Sequence, residues 1–175
     1  MAEIFVIADT HFGHKNVIKF GGRPFETIEE MEENIVELWN HTVGKKDTVI
    51  HCGDFGWGTR HYKVAERLNG FKRLVMGNHD NGNLAHLVKY FNSVHAVLKK
   101  GEFVFTHVPI IMDKYHMWEY NVHGHIHHKD QNVPDWRYYN ANMDVLKYYG
   151  PIALDEIKQE MKRRKVEQLM GEYCE

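Results

Sequence analysis

Cysteine is scarce in this chain of 175 residues: only Cys52 and Cys174 occur, one in a strand-like apolar run and one at the C-terminal end. That argues against a disulfide framework and fits a reducing compartment. No charge of one sign dominates. Lys and Arg number 22 against 24 Asp and Glu, a net charge of −2, so no global basic field draws the chain to nucleic acid or lipid, and an anionic substrate must be attracted locally. No apolar run approaches the roughly 20 residues that span a bilayer, and the opening MAEIFVIADT carries no cationic leader. The expectation is a cytoplasmic protein with no membrane partner and no obligate protein partner. Repeats, low-complexity tracts and linkers are also missing, and 43% hydrophobic positions suffice for one core, so a single domain over residues 1–175 is expected. What the chain has in abundance is histidine, 14 in all, the commonest metal ligand and a frequent general acid or base.

The apolar run from Ile4 to Ala8 reads as a buried strand that ends on Asp9-Thr10-His11. Thr27 to Trp39 spaces Ile28, Met31, Ile35, Leu38 and Trp39 as one face of a helix, with acidic residues at its start. Asp47 to His51 and Phe71 to Met76 repeat the strand pattern and break at Gly53-Asp54 and at Gly77-Asn78-His79-Asp80. Helices are expected from Tyr62 to Leu68 and from Leu84 to Tyr90. Val94 to Leu98 and Phe103 to Thr106 resemble a hairpin around Lys99-Lys100-Gly101. Further strands end at Val122 and run from Trp136 to Val145, and Leu154 to Met170 is a charged helix with a narrow apolar stripe. Alternating βα units followed by hairpin-connected strands predict a layered α/β fold with two sheets face to face and helices outside.

Each polar cluster follows a predicted strand. Asp9-Thr10-His11, Gly53-Asp54, Gly77-Asn78-His79-Asp80, Thr106-His107 and Gly124-His125-Ile126-His127 would therefore converge at the C-terminal ends of the strands, where sheets of this kind form ligand sites. They offer carboxylate, imidazole and carboxamide but no thiolate, a set that suits divalent Mn, Fe, Ni, Co or Zn. In this order and spacing the five motifs resemble the signature of the calcineurin-like metallophosphoesterases over residues 4 to 127. Asn142-Met143-Asp144-Val145 and the stretch from Pro151 to Ile157 resemble the C-terminal end of small bacterial and phage members. The resemblance implies a four-layer α-β-β-α sandwich of two mixed sheets, of the metallo-dependent phosphatase-like kind. It also implies two divalent ions, manganese foremost: Asp9, His11 and His127 on one, Asn78, His107 and His125 on the other, and Asp54 between them.

The implied reaction is hydrolysis of a phosphate ester by a hydroxide held between the ions. Phosphodiesters stand first by analogy with small family members, with a phosphomonoester or a nucleotide pyrophosphate as alternatives and a nucleotide or oligonucleotide among the substrates. Asn78 would fill a coordination position without cancelling charge, leaving about one positive charge facing an anionic guest. The resemblance makes His79 the residue that protonates the leaving oxygen, with Asp80 favouring the protonated ring or orienting it. Arg23, in Gly21-Gly22-Arg23-Pro24-Phe25, is a candidate phosphate contact, and His128 a candidate substrate contact. A non-catalytic scaffold should lack a ligand or His79, and this chain lacks neither.

His41, His51, His61, His86 and His95 read as packed or solvated, and His14, His116 and His123, nearer the motifs, as surface groups, with support of the ligands or contact with substrate the lesser alternative. Cys52 reads as a small buried hydrophobe. Tyr115, Trp118, Tyr120, Trp136, Tyr138 and Tyr139 read as core or interface packing, with base stacking the lesser alternative, and Lys162 to Lys165 as a solvated helix face.

Overall fold

The computed structural model describes residues 2–80, 84–113, 117–127 and 135–172. Its first sheet grows from β1 (Ile4–Ile7), whose crossover carries the short α1 (Val17–Phe20) and the longer α2 (Ile28–Thr42) before β2 (Thr48–His51) pairs with β1 in parallel. The Thr27 hydroxyl accepts from the Glu30 N–H, and Glu29 and Glu30 lie in the first turn of α2, where they favour the positive helix end. Ile28, Met31, Ile35, Val36 and Trp39 form its buried stripe. The expected second helix is a 3₁₀ segment, Thr59–Arg67, leading into β3 (Phe71–Val75). The third helix, α3 (Leu84–Leu87), is one turn long and stops short of Tyr90.

The stretch read as one strand from Val94 to Leu98 serves both sheets. β4 (Ser93–His95) closes the first sheet beside β3, and β5 (Leu98–Lys100) opens the second, antiparallel to β6 (Phe103–Phe105). Lys99 and Lys100 therefore lie in a strand, and the turn sits at Gly101 and Glu102. β7 (Tyr120–His123) and β8 (Tyr138–Asn140) complete the second sheet in parallel. The strand expected through Val145 stops at Asn140 because Asn142 caps α4 (Met143–Leu146), its side chain accepting from the Asp144 N–H. Two residues of β9 (Ile152–Ala153) then pair antiparallel with β1 and run into α5 (Leu154–Glu172). The sheet orders are β4-β3-β2-β1-β9 and β5-β6-β7-β8, both mixed, as expected for this α/β class.

Strand alternation decides what each face meets. Phe5, Ile7, Val49 and Leu74 join the core under α2 and the 3₁₀ segment. Their neighbours Val6, Ala8, Ile50, Cys52 and Val75 face Phe103, Phe105, Tyr120, Val122 and Tyr139 of the second sheet, and α5 closes that layer with Leu154, Ile157 and Met161. On the far face of the second sheet, Asn121 Oδ1 accepts from the Ile110 N–H and Tyr138 Oη from the Met112 N–H, which draws the loop after β6 across it. Arg163 and Arg164 pair with Glu160 on the solvated side of α5. No helix among the described residues is long and apolar enough to cross a membrane.

Trp39 anchors the first core: its ring is fully buried and its indole N–H donates to the Asn69 carbonyl at 3.0 Å. Trp39→Ala should lower unfolding stability by about 3–5 kcal/mol in denaturant titrations, the cost of a large aromatic cavity.

Candidate metal centre

The parallel ladders continue past the strands into the loops. Beyond β1 and β2, the Asp9 N–H donates to the Gly53 carbonyl, His11 to Asp54 and Phe12 to Phe55, all at 2.9–3.0 Å. Beyond β6 and β7, the Gly124 N–H donates to the His107 carbonyl at 2.9 Å, and the Ala8 N–H donates to the carbonyl of Ala141, the residue after β8, at 3.1 Å. Loops bound in this way can hold backbone conformations that side chains disfavour. Asp9, His11, Asp54 and His125 sit at φ of 60°, 52°, 54° and 68°; with Lys147 they are the non-glycine residues at positive φ among the described residues. Each costs about 1–3 kcal/mol, and such outliers collect where function fixes geometry. Two motif glycines make the room: a Cβ on Gly77 would overlap the Asp54 carboxylate, and one on Gly124 the Asp9 carboxylate.

Two donor clusters result, Asp9 with His11 and His127, and Asp54 with His107 and His125, the donor atoms of each lying within 4.8 Å of one another. Asp9 Oδ1 stands 3.8 Å from His11 Nε2 and 3.9 Å from His127 Nε2. Asn78 Oδ1 joins the second cluster at 3.0 Å from His107 Nε2. Asp54 Oδ2 lies 3.4 Å from His107 Nε2 and 3.7 Å from His11 Nε2, so one carboxylate oxygen faces both clusters. Donors about 2.1 Å from a shared ion would sit roughly 3–3.5 Å apart, close to these separations.

The environment of the donors fits a cation. Both ring nitrogens of buried His11 lack a hydrogen-bond partner among the described residues, a costly arrangement unless an ion takes one of them. His107 Nδ1–H donates to the Cys52 carbonyl at 2.9 Å, which turns Nε2 toward the cluster. His127 Nδ1–H donates to Asp144 Oδ2 at 2.6 Å, leaving its Nε2 beside Asp9. A second hydrogen bond of this kind fixes the tautomer of a ligating histidine and raises its basicity. Burial pushes the Asp9 carboxyl up to about 7 and holds His11 down at about 2. Burial also opposes charge on Asp54 and His107, but their close pairing at 3.4 Å, with neighbouring charges and backbone hydrogen bonds, outweighs it, leaving Asp54 at about 2 and His107 at about 9. Without an ion, a protonated His107 therefore takes the place of the cation.

Two expectations are corrected. Arg23 does not reach out to a substrate phosphate. It is buried, with Nε on Asp144 Oδ1 at 2.7 Å, Nη1 on the Thr10 carbonyl and Met31 Sδ, and Nη2 on the Asp9 carbonyl at 2.6 Å and Asp144 Oδ2. All five N–H donors are engaged inside the fold. Asp80 does not orient the His79 ring; its oxygens accept from the N–H groups of Asp54, Phe55 and Gly77 and from the Tyr62 hydroxyl, clasping two motif loops together. His79 stands at the mouth, its N–H on Asp54 Oδ1 at 2.8 Å and its Nε2 3.8 Å from Asp54 Oδ2. His128, His116 and Tyr115 lie outside the described residues. His51, read as packed, is buried beneath the site against the Thr10 hydroxyl at 3.0 Å.

Asp144 belongs to the centre although sequence reasoning gave it no role. It couples His127 to Arg23, and so to the backbone of Asp9 and Thr10, across 121 residues of chain. Its signal was the motif Asn142-Met143-Asp144-Val145, which carried the resemblance without a chemical assignment.

A two-sheet α/β scaffold that gathers these ligands at its strand ends defines a metal-dependent phosphoester hydrolase. The calcineurin-like phosphoesterase model matches residues 2–171, and the chain belongs to that family, which binds divalent metals and acts on phosphate esters. An uncharacterised protein of Methanocaldococcus jannaschii, MJ1445, is 32% identical over 175 residues, 95% of either chain. The Gene 66 protein of Mycobacterium phage L5 is 31% identical over 86 residues, 46% of this chain and 41% of the phage protein. The crystal structure of AQ665 from Aquifex aeolicus, a protein of unknown function, superposes with a TM-score of 0.73 at 27% identity, covering 91% of this chain and 99% of that one.

Two outcomes follow from this geometry. Asp144→Asn should weaken metal binding about 10- to 100-fold in metal titrations through loss of the His127 partner, and it should destabilise the fold by about 3–5 kcal/mol by leaving Arg23 charged and buried without a counterion. Metal uptake should also release protons, because His107 must shed one below pH 9 and Asp9 another below pH 7. Apparent affinity should therefore rise with pH by about tenfold per unit between 7 and 9 and more steeply below 7. Calorimetry in buffers of different ionisation enthalpy counts these protons directly.

Proposed function

We propose that the protein is a dinuclear metal-dependent phosphodiesterase in which His79 assists departure of the leaving alcohol. The observation that carries this reading is the position of Asp54 Oδ2, within 3.4–3.8 Å of His107, His11 and His79, which joins both ligand clusters to the one motif imidazole outside them. Asp9, His11 and His127 would hold one ion and Asn78, His107 and His125 the other. The family resemblance puts manganese first, and a set of imidazole, carboxylate and carboxamide donors without thiolate also suits iron, nickel, cobalt or zinc. When bound, the ions would acidify a water and take up charge developing on the phosphate.

The residues supply the rest. Asp54 holds the His79 backbone beside the bridging position, so the ring meets the substrate at a fixed root. Its side chain is about one-third exposed (33%), open to the guest rather than enclosed by ligands. A proton on that imidazole would pass to the leaving oxygen, neutralising an alkoxide as it forms. The preference for a diester over a monoester rests on the fate of Arg23: the guanidinium expected at the phosphate is committed inside the fold, and a diester carries one negative charge fewer for the site to meet. A cytoplasmic location is part of this proposal, supported by the low cysteine content and the buried free thiol of Cys52.

Purified protein should contain about two ions per chain by elemental analysis and, with manganese, should hydrolyse bis-p-nitrophenyl phosphate faster than p-nitrophenyl phosphate. Turnover of the monoester alone would remove the diesterase reading. His79→Ala should keep both ions and lose about 10²- to 10⁴-fold in rate, the range for one general acid; full activity in that variant would remove the role given to His79.

A further inference from the structure

We infer that the substrate is a nucleotide ester whose leaving group carries a nucleobase, seated on an aromatic wall made by Trp57, His14 and Phe20. This rests on the proposed role of His79, because the wall begins at that residue. The Trp57 ring lies 4.9 Å from His79 and 4.3 Å from His14; His14 lies 5.5 Å from Phe20; and Phe20 ends the row 5.3 Å from His127. The row thus runs along the mouth of the centre from the proposed general acid to a metal ligand.

Its composition is unexpected for the rim of a charged site. Trp57 and Phe20 each remain 48% exposed as residues, large apolar side chains left open to solvent beside the candidate centre. The rings meet one another edge to face, at 65° between His14 and Trp57 and 83° between His14 and Phe20, so a planar base would lie against one exposed ring, Trp57 beside His79, and bury apolar area on both partners. The platform is also held in place. The Trp57 N–H donates to the Phe12 carbonyl at 2.7 Å, next to the bridge between Phe12 and Gly56, and the Phe20 N–H donates to the Asn16 carbonyl at 3.2 Å. Exposed rings on pinned backbone lose little further freedom when a ligand stacks on them.

The other aromatic residues near the last motifs have different employment. Tyr120 and Tyr139 are core residues, Trp136 packs on Tyr120 and under Lys165, and the Tyr138 hydroxyl donates to the Ile110 carbonyl. Stacking is tolerant of base identity, since every base has a π face, so this wall would select for a base without selecting strongly among bases. Its contact with His79 places that base on the nucleoside that departs.

The test separates the base from the phosphate. With manganese-loaded protein, adenosine 5′-monophosphate should bind at least about tenfold tighter than ribose 5-phosphate by calorimetry, as expected for one stacked base. Trp57→Ala should bring that ratio near one, while Trp57→Phe should keep part of it; thermal melts and metal counts would establish that both variants are folded. Equal affinity of the two ligands for the wild type, binding of neither, or an unchanged ratio in Trp57→Ala would overturn the proposal. Dinucleoside monophosphates that keep or lack the base on the leaving nucleoside supply the kinetic arm, because the leaving alkoxide is alike in both. Hydrolysis of both at equal kcat/KM would overturn the subsite and leave the diesterase standing. Tight, Trp57-dependent binding of the monophosphate without hydrolysis of any diester would uphold the subsite and remove the diesterase reading.

Discussion

The structure turns on two carboxylates, Asp9 and Asp54, buried just beyond the ends of neighbouring strands, each facing the imidazoles of its own cluster, with His11 within reach of both. Buried anions are tolerated only when compensated, and the fold compensates them in layers. His107 supplies a proton when no metal is present, and the His125 N–H donates to both oxygens of Asp9. Below them Arg23 braces the Asp9 and Thr10 carbonyls and is itself neutralised by Asp144. That cation never meets the substrate; it allows negative charge to be stored where cations will later bind. The same charges that are costly to bury would make these residues a strong ligand set, so bound divalent ions would offset that cost.

Geometry is held by the backbone more than by side-chain packing. Four of the candidate ligands adopt left-handed conformations, and the hydrogen bonds that oppose this strain are continuations of the β1–β2 and β6–β7 ladders into the loops. Parallel pairing explains why the motifs recur at the same structural level: each strand delivers its loop to the same edge, and adjacent loops stay in register because the strands already are. The bridge between Ala8 and Asn142 then ties the two sheets together at the height of the centre, bringing Asp144 under His127.

Much of this was legible in the chain. The strand runs ended on their polar clusters as read, and the order of five motifs carried the family and the class of fold. What could not be read depended on contacts between distant residues. Arg23 looks like a phosphate ligand until Asp144, 121 positions away, is found against it. Asp80 looks like the partner of its neighbour His79, yet the chain turns so that its oxygens meet the N–H groups of another loop. The run from Val94 to Leu98 reads as one strand, and nothing local says that its two ends join different sheets; only the hydrogen-bond partners of β4 and β5 decide that. The 3₁₀ form of Thr59–Arg67 and the four-residue α3 likewise reflect packing rather than propensity.

The division of labour between strand ends and connecting segments bears on how such a centre acquires a substrate. Ligands and His79 hang on loops that the ladders fix, and a change there disturbs charge, strain and metal together. Trp57 closes the last hydrogen bond of the continued β1–β2 ladder through its backbone, and Phe20 lies in the crossover helix α1; neither side chain is among the candidate ligands. Their rings are therefore free to be chosen for what they touch outside the protein. A wall of that kind supplies dispersion and apolar contact without altering the charge at phosphorus, so recognition of the alcohol and activation of the phosphate are set by separate residues. The wall meets the metal centre at His79, the residue at which the proposed leaving group must be both held and protonated, and there the two functions join.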